Sequence, residues 1–170
     1  MRQMVRVTTP ADIDATAVQA RDIWTRHYVP IIGEAQTAYM LAAFQSPAAI
    51  AGQMAAGYEY YLAMEDGAPQ GYFALVPDLA GHSALLSKIY VRQERQGTGL
   101  GKAILADVEA RCVRMGVREL WLTVNKHNAG SIAFYRRAGF EVTGSLVQDI
   151  GHGFVMDDFR MAKTLRAGAA

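Results

Sequence analysis

Arg95-Gln96-Gly97-Thr98-Gly99-Leu100-Gly101-Lys102 places three alternating glycines between a strand and a helix. Upstream, residues 84–91 read as a strand. Downstream, Leu100, Ile104, Val108 and Cys112 recur every four residues, with Leu105 and Met115 alongside, and Gly116 stops the amphipathic helix they mark. Backbone without Cβ approaches a ligand closely, and the N–H groups of a first helical turn point at it. A pyrophosphate is the natural guest of such a junction. Two familiar phosphate motifs fail here. The dinucleotide fingerprint needs G-x-G-x-x-G, whereas these glycines are spaced G-x-G-x-G. The triphosphate loop needs four residues between its glycines and a Ser or Thr after its Lys, whereas three separate Gly97 from Gly101 and Ala103 follows Lys102.

Outward from this loop, elements alternate without a strict strand-helix-strand repeat. A strand is expected over 4–8. A helix then starts at Thr9-Pro10-Ala11-Asp12, where Thr9 caps, Pro10 fits the first turn and Asp12 suits the positive end of the dipole. Ile13, Ala17, Ala20, Trp24 and His27 continue it at helical spacing. Helices over 34–44 and 47–56 are split at Ser46-Pro47. Strands over 59–64 and 71–76 flank the turn signal Glu65-Asp66-Gly67-Ala68-Pro69. Leu120, Leu122 and Val124 alternate with Trp121 and Thr123 as a further strand; 130–138 reads as a short helix closed by Gly139, and 140–147 and 154–165 as closing strands. The pattern is that of an α+β, mixed-sheet domain.

Composition narrows the function classes. The chain has 170 residues, one cysteine, 17 Lys+Arg against 16 Asp+Glu, and 51% hydrophobic residues. That length suits one domain over 1–170 with a sizeable core. A single cysteine makes no internal disulfide, and its place on the apolar helix face reads as packing. The +1 balance argues against a phosphate-neutralising face for nucleic acid. The uncharged stretch 35–58 is Ala-rich and broken by polar residues and Pro47, so buried helices are expected there rather than a membrane span. The first residues lack an apolar core, so no secretory leader is expected, and the location reads as cytoplasmic. His27, His82, His127 and His152 are too scattered in sequence for a metal motif, so no metal is expected. The small-residue tail, 166–170, is expected to fray.

With Gln96-Gly97-Thr98-Gly99-Leu100-Gly101 as a Gln/Arg-x-x-Gly-x-Gly/Ala motif, the chain resembles the GNAT acetyltransferase superfamily. The preceding Leu86-Ser87-Lys88-Ile89-Tyr90-Val91 looks like that family's fourth strand. A second block follows in order: Leu120-Trp121-Leu122-Thr123-Val124-Asn125, then Asn128, Ala133-Phe134-Tyr135 and Gly139-Phe140. The clear likeness covers residues 85–144, the expected acetyl-CoA-binding core. It implies a central, mostly antiparallel, twisted sheet of six to seven strands, a splayed parallel pair formed by the fourth and fifth strands, and about four helices.

The resemblance implies acetyl transfer from acetyl-CoA to a primary amine by direct attack in a ternary complex. It gives the pyrophosphate to Gln96, Gly97, Thr98, Gly99, Leu100, Gly101 and Lys102, and the pantetheine arm to the backbone of Ile89, Tyr90 and Val91. It gives the oxyanion to an N–H near Ile89 or Tyr90, and cofactor hydrogen bonds to Asn128 and Ser131. Tyr135 takes the general-acid position, which suits a phenol protonated at neutral pH; a core aromatic pair with Phe134 is the plainer alternative. Asn125 reads as a turn residue. His27, Tyr28 and Glu34 are candidates to line the acceptor site, beside the reading of ordinary helix-packing aromatics. Glu34, His82 and Glu65 are candidate bases, none preferred over a water chain. His27-Tyr28, Lys88-Ile89-Tyr90-Val91 and the run Gly151, Asp157, Met161 ahead of Lys163 look similar to the bacterial spermidine/spermine branch, although the near-neutral composition supplies no broad acidic field for a polyamine. Acetylation of a protein N-terminus or lysine, and an acetyl-CoA-binding module without turnover, are the alternatives. The likeness also allows a homodimer, with the last strand around Phe159 pairing across subunits.

Overall fold

The computed structural model describes residues 1–167; residues 168–170, within the tail expected to fray, lie outside the described residues. Seven strands and five α-helices are present among the described residues: β1 (Arg2–Arg6), α1 (Pro10–Ile32), α2 (Glu34–Phe44), α3 (Pro47–Ala55), β2 (Glu59–Glu65), β3 (Ala68–Asp78), β4 (Ser83–Val91), α4 (Leu100–Arg114), β5 (Glu119–Asn125), α5 (Ala129–Arg137), β6 (Glu141–Gly151) and β7 (Phe154–Thr164). The strands are ordered β1-β2-β3-β4-β5-β7-β6, antiparallel at β1-β2, β2-β3, β5-β7 and β7-β6 and parallel at β4-β5. The α+β class and the parallel pair agree with the sequence reading. The five helices are those the residue pattern marks, where the likeness implied about four; Gly33 at φ +86° ends α1 and Ser46-Pro47 separates α2 from α3. No helix among the described residues is long and apolar enough to cross a membrane.

The chain divides into two compact units, Met1–Val76 with Lys88–Val108, and 77–87 with 109–167. In the first, α1 begins with a capping box. The Asp12 N–H donates to Thr9 Oγ1 at 3.2 Å, and Asp12 Oδ2 accepts from the Thr9 N–H at 2.9 Å. The Thr8 N–H, which donates to Asp12 Oδ2 at 3.0 Å, and then the Thr9 N–H hold the Asp12 carboxyl below its ordinary pKa. The helix buries Ala17, Ala20 and Ile23 with Val7, Ile50, Tyr60, Leu62, Tyr72 and Ala74 in one apolar cluster. β3 approaches β4 so closely at Gly71 that a Cβ there would lie 2.4 Å from the Tyr90 carbonyl oxygen, so only glycine fits.

In the second unit, Leu120, Leu122 and Val124 of β5 are buried with Phe140 and Met161, as the alternation predicts. The Cys112 side chain is fully buried, as a packing residue should be. β6 is longer than the expected 140–147 and forms a hairpin with β7 through His152 and Gly153, both at positive φ.

Candidate active site

The glycine loop belongs to the first unit. A short 3₁₀ turn, Gln93–Arg95, leads into it. Gly97 and Gly99 adopt φ of +76° and +82°, a conformation that L side chains rarely take. The Thr98 hydroxyl donates to the Arg95 carbonyl at 2.6 Å, and Arg2 donates to the Thr98 carbonyl at 3.0 Å, so the loop is braced from behind. Ala103 is the first residue of α4 to bond back, to the Gly99 carbonyl at 3.0 Å. The N–H groups of Gly99, Leu100, Gly101 and Lys102 make no bond to the chain among the described residues. They are the unbonded donors of a helix N-terminus and carry its positive partial charge. Leu100 contributes only its amide, since its side chain is buried, while Gln96 to Gly99 and Lys102 are exposed.

Beside this loop in sequence, β4 ends in Lys88, Ile89, Tyr90 and Val91. Tyr90 meets the ring of Trp24 at 5.4 Å, Tyr28 at 6.2 Å and Tyr72 at 5.3 Å, and His27 meets Tyr28 at 4.8 Å. The candidate lining residues His27 and Tyr28 are thus joined to Tyr90 in one aromatic group. Glu34 is not part of it; it is the exposed first residue of α2, where its charge faces the positive end of that helix.

Lys88 is a residue the sequence reading did not single out for chemistry. It is 6% exposed. Its ammonium donates to the Phe44 carbonyl at 2.9 Å, to Gln53 Oε1 at 2.7 Å and to the Tyr60 hydroxyl. Burial draws it down from the usual lysine range to about 7, and the oxygen acceptors favour its charged form. The Ala84, Leu86, Lys88 alternation was the signal that could have found it, because it sets Lys88 on the buried face of β4.

The second unit carries Asn128, Ser131 and Tyr135. Asn128 is buried and caps α5, its Oδ1 accepting from the Ser131 N–H at 3.4 Å. Tyr135 is buried between ring neighbours Phe134 at 5.5 Å and Phe140 at 5.8 Å. Asn125 is the turn residue expected, its Oδ1 accepting from the His127 N–H at 2.9 Å. Two of the candidate bases are occupied elsewhere. Glu65 is ion-paired with Arg2 at 2.8 Å and Arg95 at 3.4 Å. His82 sits at φ +52° in the turn before β4, its carbonyl accepting from Arg118 and its ring nitrogen 3.3 Å from the Gly116 carbonyl. A further buried acid, Asp158 on β7, was not among the candidates; burial first, then the neighbouring Asp157, raise it to about 6.

A model of the acetyltransferase (GNAT) family matches residues 19–140. Among curated relatives, the 5-NmdU N-acetyltransferase of Pseudomonas phage PaMx11 is 34% identical over 84 residues, 49% of this chain and 58% of the relative. The L-methionine sulfoximine/L-methionine sulfone acetyltransferase of Pseudomonas aeruginosa is 35% identical over 66 residues, 39% of this chain and 38% of the relative. The chain therefore spans about half the length of these curated relatives, or less. Among solved structures, the PaiA N-acetyltransferase of Thermoplasma acidophilum in complex with coenzyme A superposes with a TM-score of 0.78 at 21% identity, covering 96% of this chain and 99% of that one, a likeness of fold.

Proposed function

Because the chain belongs to the acetyltransferase (GNAT) family, we propose that it transfers the acetyl group of acetyl-CoA to a primary amine on a small molecule, by direct attack in a ternary complex. The observation that carries this reading is the strand-to-helix loop. It has two glycines at positive φ, a brace from Arg2, and a run of N–H donors from Gly99 to Lys102 with no bond to the chain among the described residues. Such a cradle suits the pyrophosphate of coenzyme A without a broad basic surface, which agrees with a net charge of only +1.

Gln96 to Lys102 hold the pyrophosphate in this reading. The backbone of Ile89, Tyr90 and Val91 receives the amide-rich arm, and an N–H near Ile89 or Tyr90 stabilises the oxyanion that forms when nitrogen attacks the thioester. Tyr135 gives its phenolic proton to the departing thiolate, and Asn128 and Ser131 support the cofactor arm. His27 and Tyr28, joined to Tyr90, line the acceptor side in this reading, and Glu34 is a further candidate to contact the acceptor. The acceptors named for the relatives differ from one another, so they assign none here. A polyamine is one candidate acceptor, and the cytoplasm is the compartment we propose.

The test is thiol release from acetyl-CoA with spermidine, free amino acids, an aminoglycoside and a lysine-containing peptide, together with calorimetric titration of coenzyme A. Amine-dependent release with a small molecule is the expected result. Release with the peptide alone would move the acceptor to protein. Coenzyme A binding with no release on any amine would leave only a binding module.

A further inference from the structure

The β5–β7 register places Asn125 opposite Asp158, Thr123 opposite Arg160 and Trp121 opposite Ala162. Directly opposed residues share a face of an antiparallel pair. Trp121, Thr123, Asn125, Asp158 and Arg160 therefore lie on one face, and Asp157 lies on the other. Arg160 on that face is committed: it pairs with Glu119 at 2.7 Å, donates to the Thr143 hydroxyl at 2.8 Å and lies 4.8 Å from the Trp121 ring. Asp157 is committed as well, to Lys126 at 2.7 Å. Asp158 differs from both. It is 3% exposed, accepts from the Thr123 hydroxyl, and makes no ion pair among the described residues. A buried carboxylate without an ion pair is costly, the nearby Lys126 being paired with Asp157, and an Asn in its place would accept from Thr123 equally well. The fold therefore keeps a negative charge here that its own packing does not need.

The place of that charge gives it a use. The parallel register of β4 with β5 runs from Ser83↔Glu119 to Leu85↔Trp121 and stops. Thr123 and Asn125 lie beyond it, where β5 retains its partner β7. The same strand continues through the turn at Asn125, whose carbonyl accepts from the Asn128 N–H at 2.9 Å, into the helix that carries Tyr135. Asp158 thus lies on the neighbouring strand, opposite the end of the strand that leads to the proposed acid.

We propose that the Asp158 carboxylate is the base that takes the proton from the acceptor ammonium, an inference that rests on the acetyl-transfer reading above. The ammonium gives one proton to Asp158, which later passes it to water. The freed lone pair forms the N–C bond to the thioester carbonyl as its π electrons move to oxygen. Collapse breaks the C–S bond, and the thiolate gains a proton as the nitrogen loses its second one, leaving an amide, the free thiol and one released proton. Thr123 and Lys126 hold the pKa of Asp158 down while burial and Asp157 hold it up. The balance leaves it ionised at neutral pH yet basic enough to accept.

The experiment uses the best acceptor of the amine panel together with its mono- and difluoro analogues, in which fluorine beside the amine lowers the ammonium pKa stepwise. Asp158→Asn and Asp158→Glu are compared with the unaltered chain by kcat/KM at pH 7 and by coenzyme A affinity. Asp158→Asn is expected to lose about 100-fold with the parent amine, less with the monofluoro analogue and least with the difluoro analogue, the least protonated of the three. Asp158→Glu should recover part of the loss, and coenzyme A affinity should stay within about twofold throughout, a change equivalent to roughly 0.4 kcal/mol. An equal loss across the three amines, or no loss, would overturn the assignment. If the unaltered chain releases no thiol on any amine, the acetyl-transfer reading itself fails, and this proposal with it.

Discussion

Lys88 and Asp158 are both buried charges on strands, and their surroundings treat them in opposite ways. Lys88 has a backbone carbonyl, an amide oxygen and a phenol oxygen for its ammonium protons. These partners come from α2, α3 and β2, so the lysine ties helices to the strand that ends in Ile89, Tyr90 and Val91. Asp158 has a hydroxyl and no ion pair among the described residues. The first is an internal fastener, expensive to break. The second is a charge kept in a place that would be more stable without it, and residues of that kind concentrate where chemistry is done.

This comparison can be broken from either side. Lys88→Met should cost about 3 kcal/mol of stability, because it strands the oxygens of Phe44, Gln53 and Tyr60. Urea denaturation measures it, and a loss under about 0.5 kcal/mol would remove the fastener role. Tyr135→Phe should lower kcat by about 100-fold while leaving the graded response of Asp158→Asn across the three amines in place. Loss of that gradation as well would mean that Tyr135 produces it.

The two groups also predict opposite slopes of stability with pH. The folded-state pKa of Asp158 is raised from 3.8 to about 6, so the folded chain binds more protons in that interval and loses stability as pH rises through it, by at most about 3 kcal/mol. The folded-state pKa of Lys88 is lowered from 10.5 to about 7, so between those values the unfolded chain binds more protons and stability rises with pH. Denaturation midpoints of each variant against the unaltered chain isolate each slope; a Lys88→Met difference that is flat above pH 7 would contradict the second. The smallest effect is expected at the loop. Gly97→Ala imposes a side chain at φ +76° and should cost about 1 kcal/mol, read as several-fold weaker coenzyme A binding with both pH slopes intact.

Much of this was legible from the chain, and the reasons are local. Glycines at alternate positions after a strand define the loop without help from distant residues. Leu120, Leu122 and Val124 announce their buried face by period alone. The cap at Thr9 and Asp12 lies within four residues. What escaped depends on pairing across the sheet. Asp157-Asp158 reads as a charged pair, and only the register with β5 sends one carboxylate to Lys126 and the other to the Asn125 side. The length of β6 escaped because most of its residues, from Glu141 onward, are exposed, which erases the alternation that marks a half-buried strand. Lys88 escaped because its acceptors come from α2, α3 and β2, elements far from it in sequence.

The most direct test of the central contrast is to measure stability and turnover on the same preparation of Asp158→Asn at pH 8. The denaturation midpoint should rise while acetyl transfer to the best acceptor falls by about 100-fold. If stability and turnover fall together, Asp158 is part of the framework, and the buried charge has no chemical role.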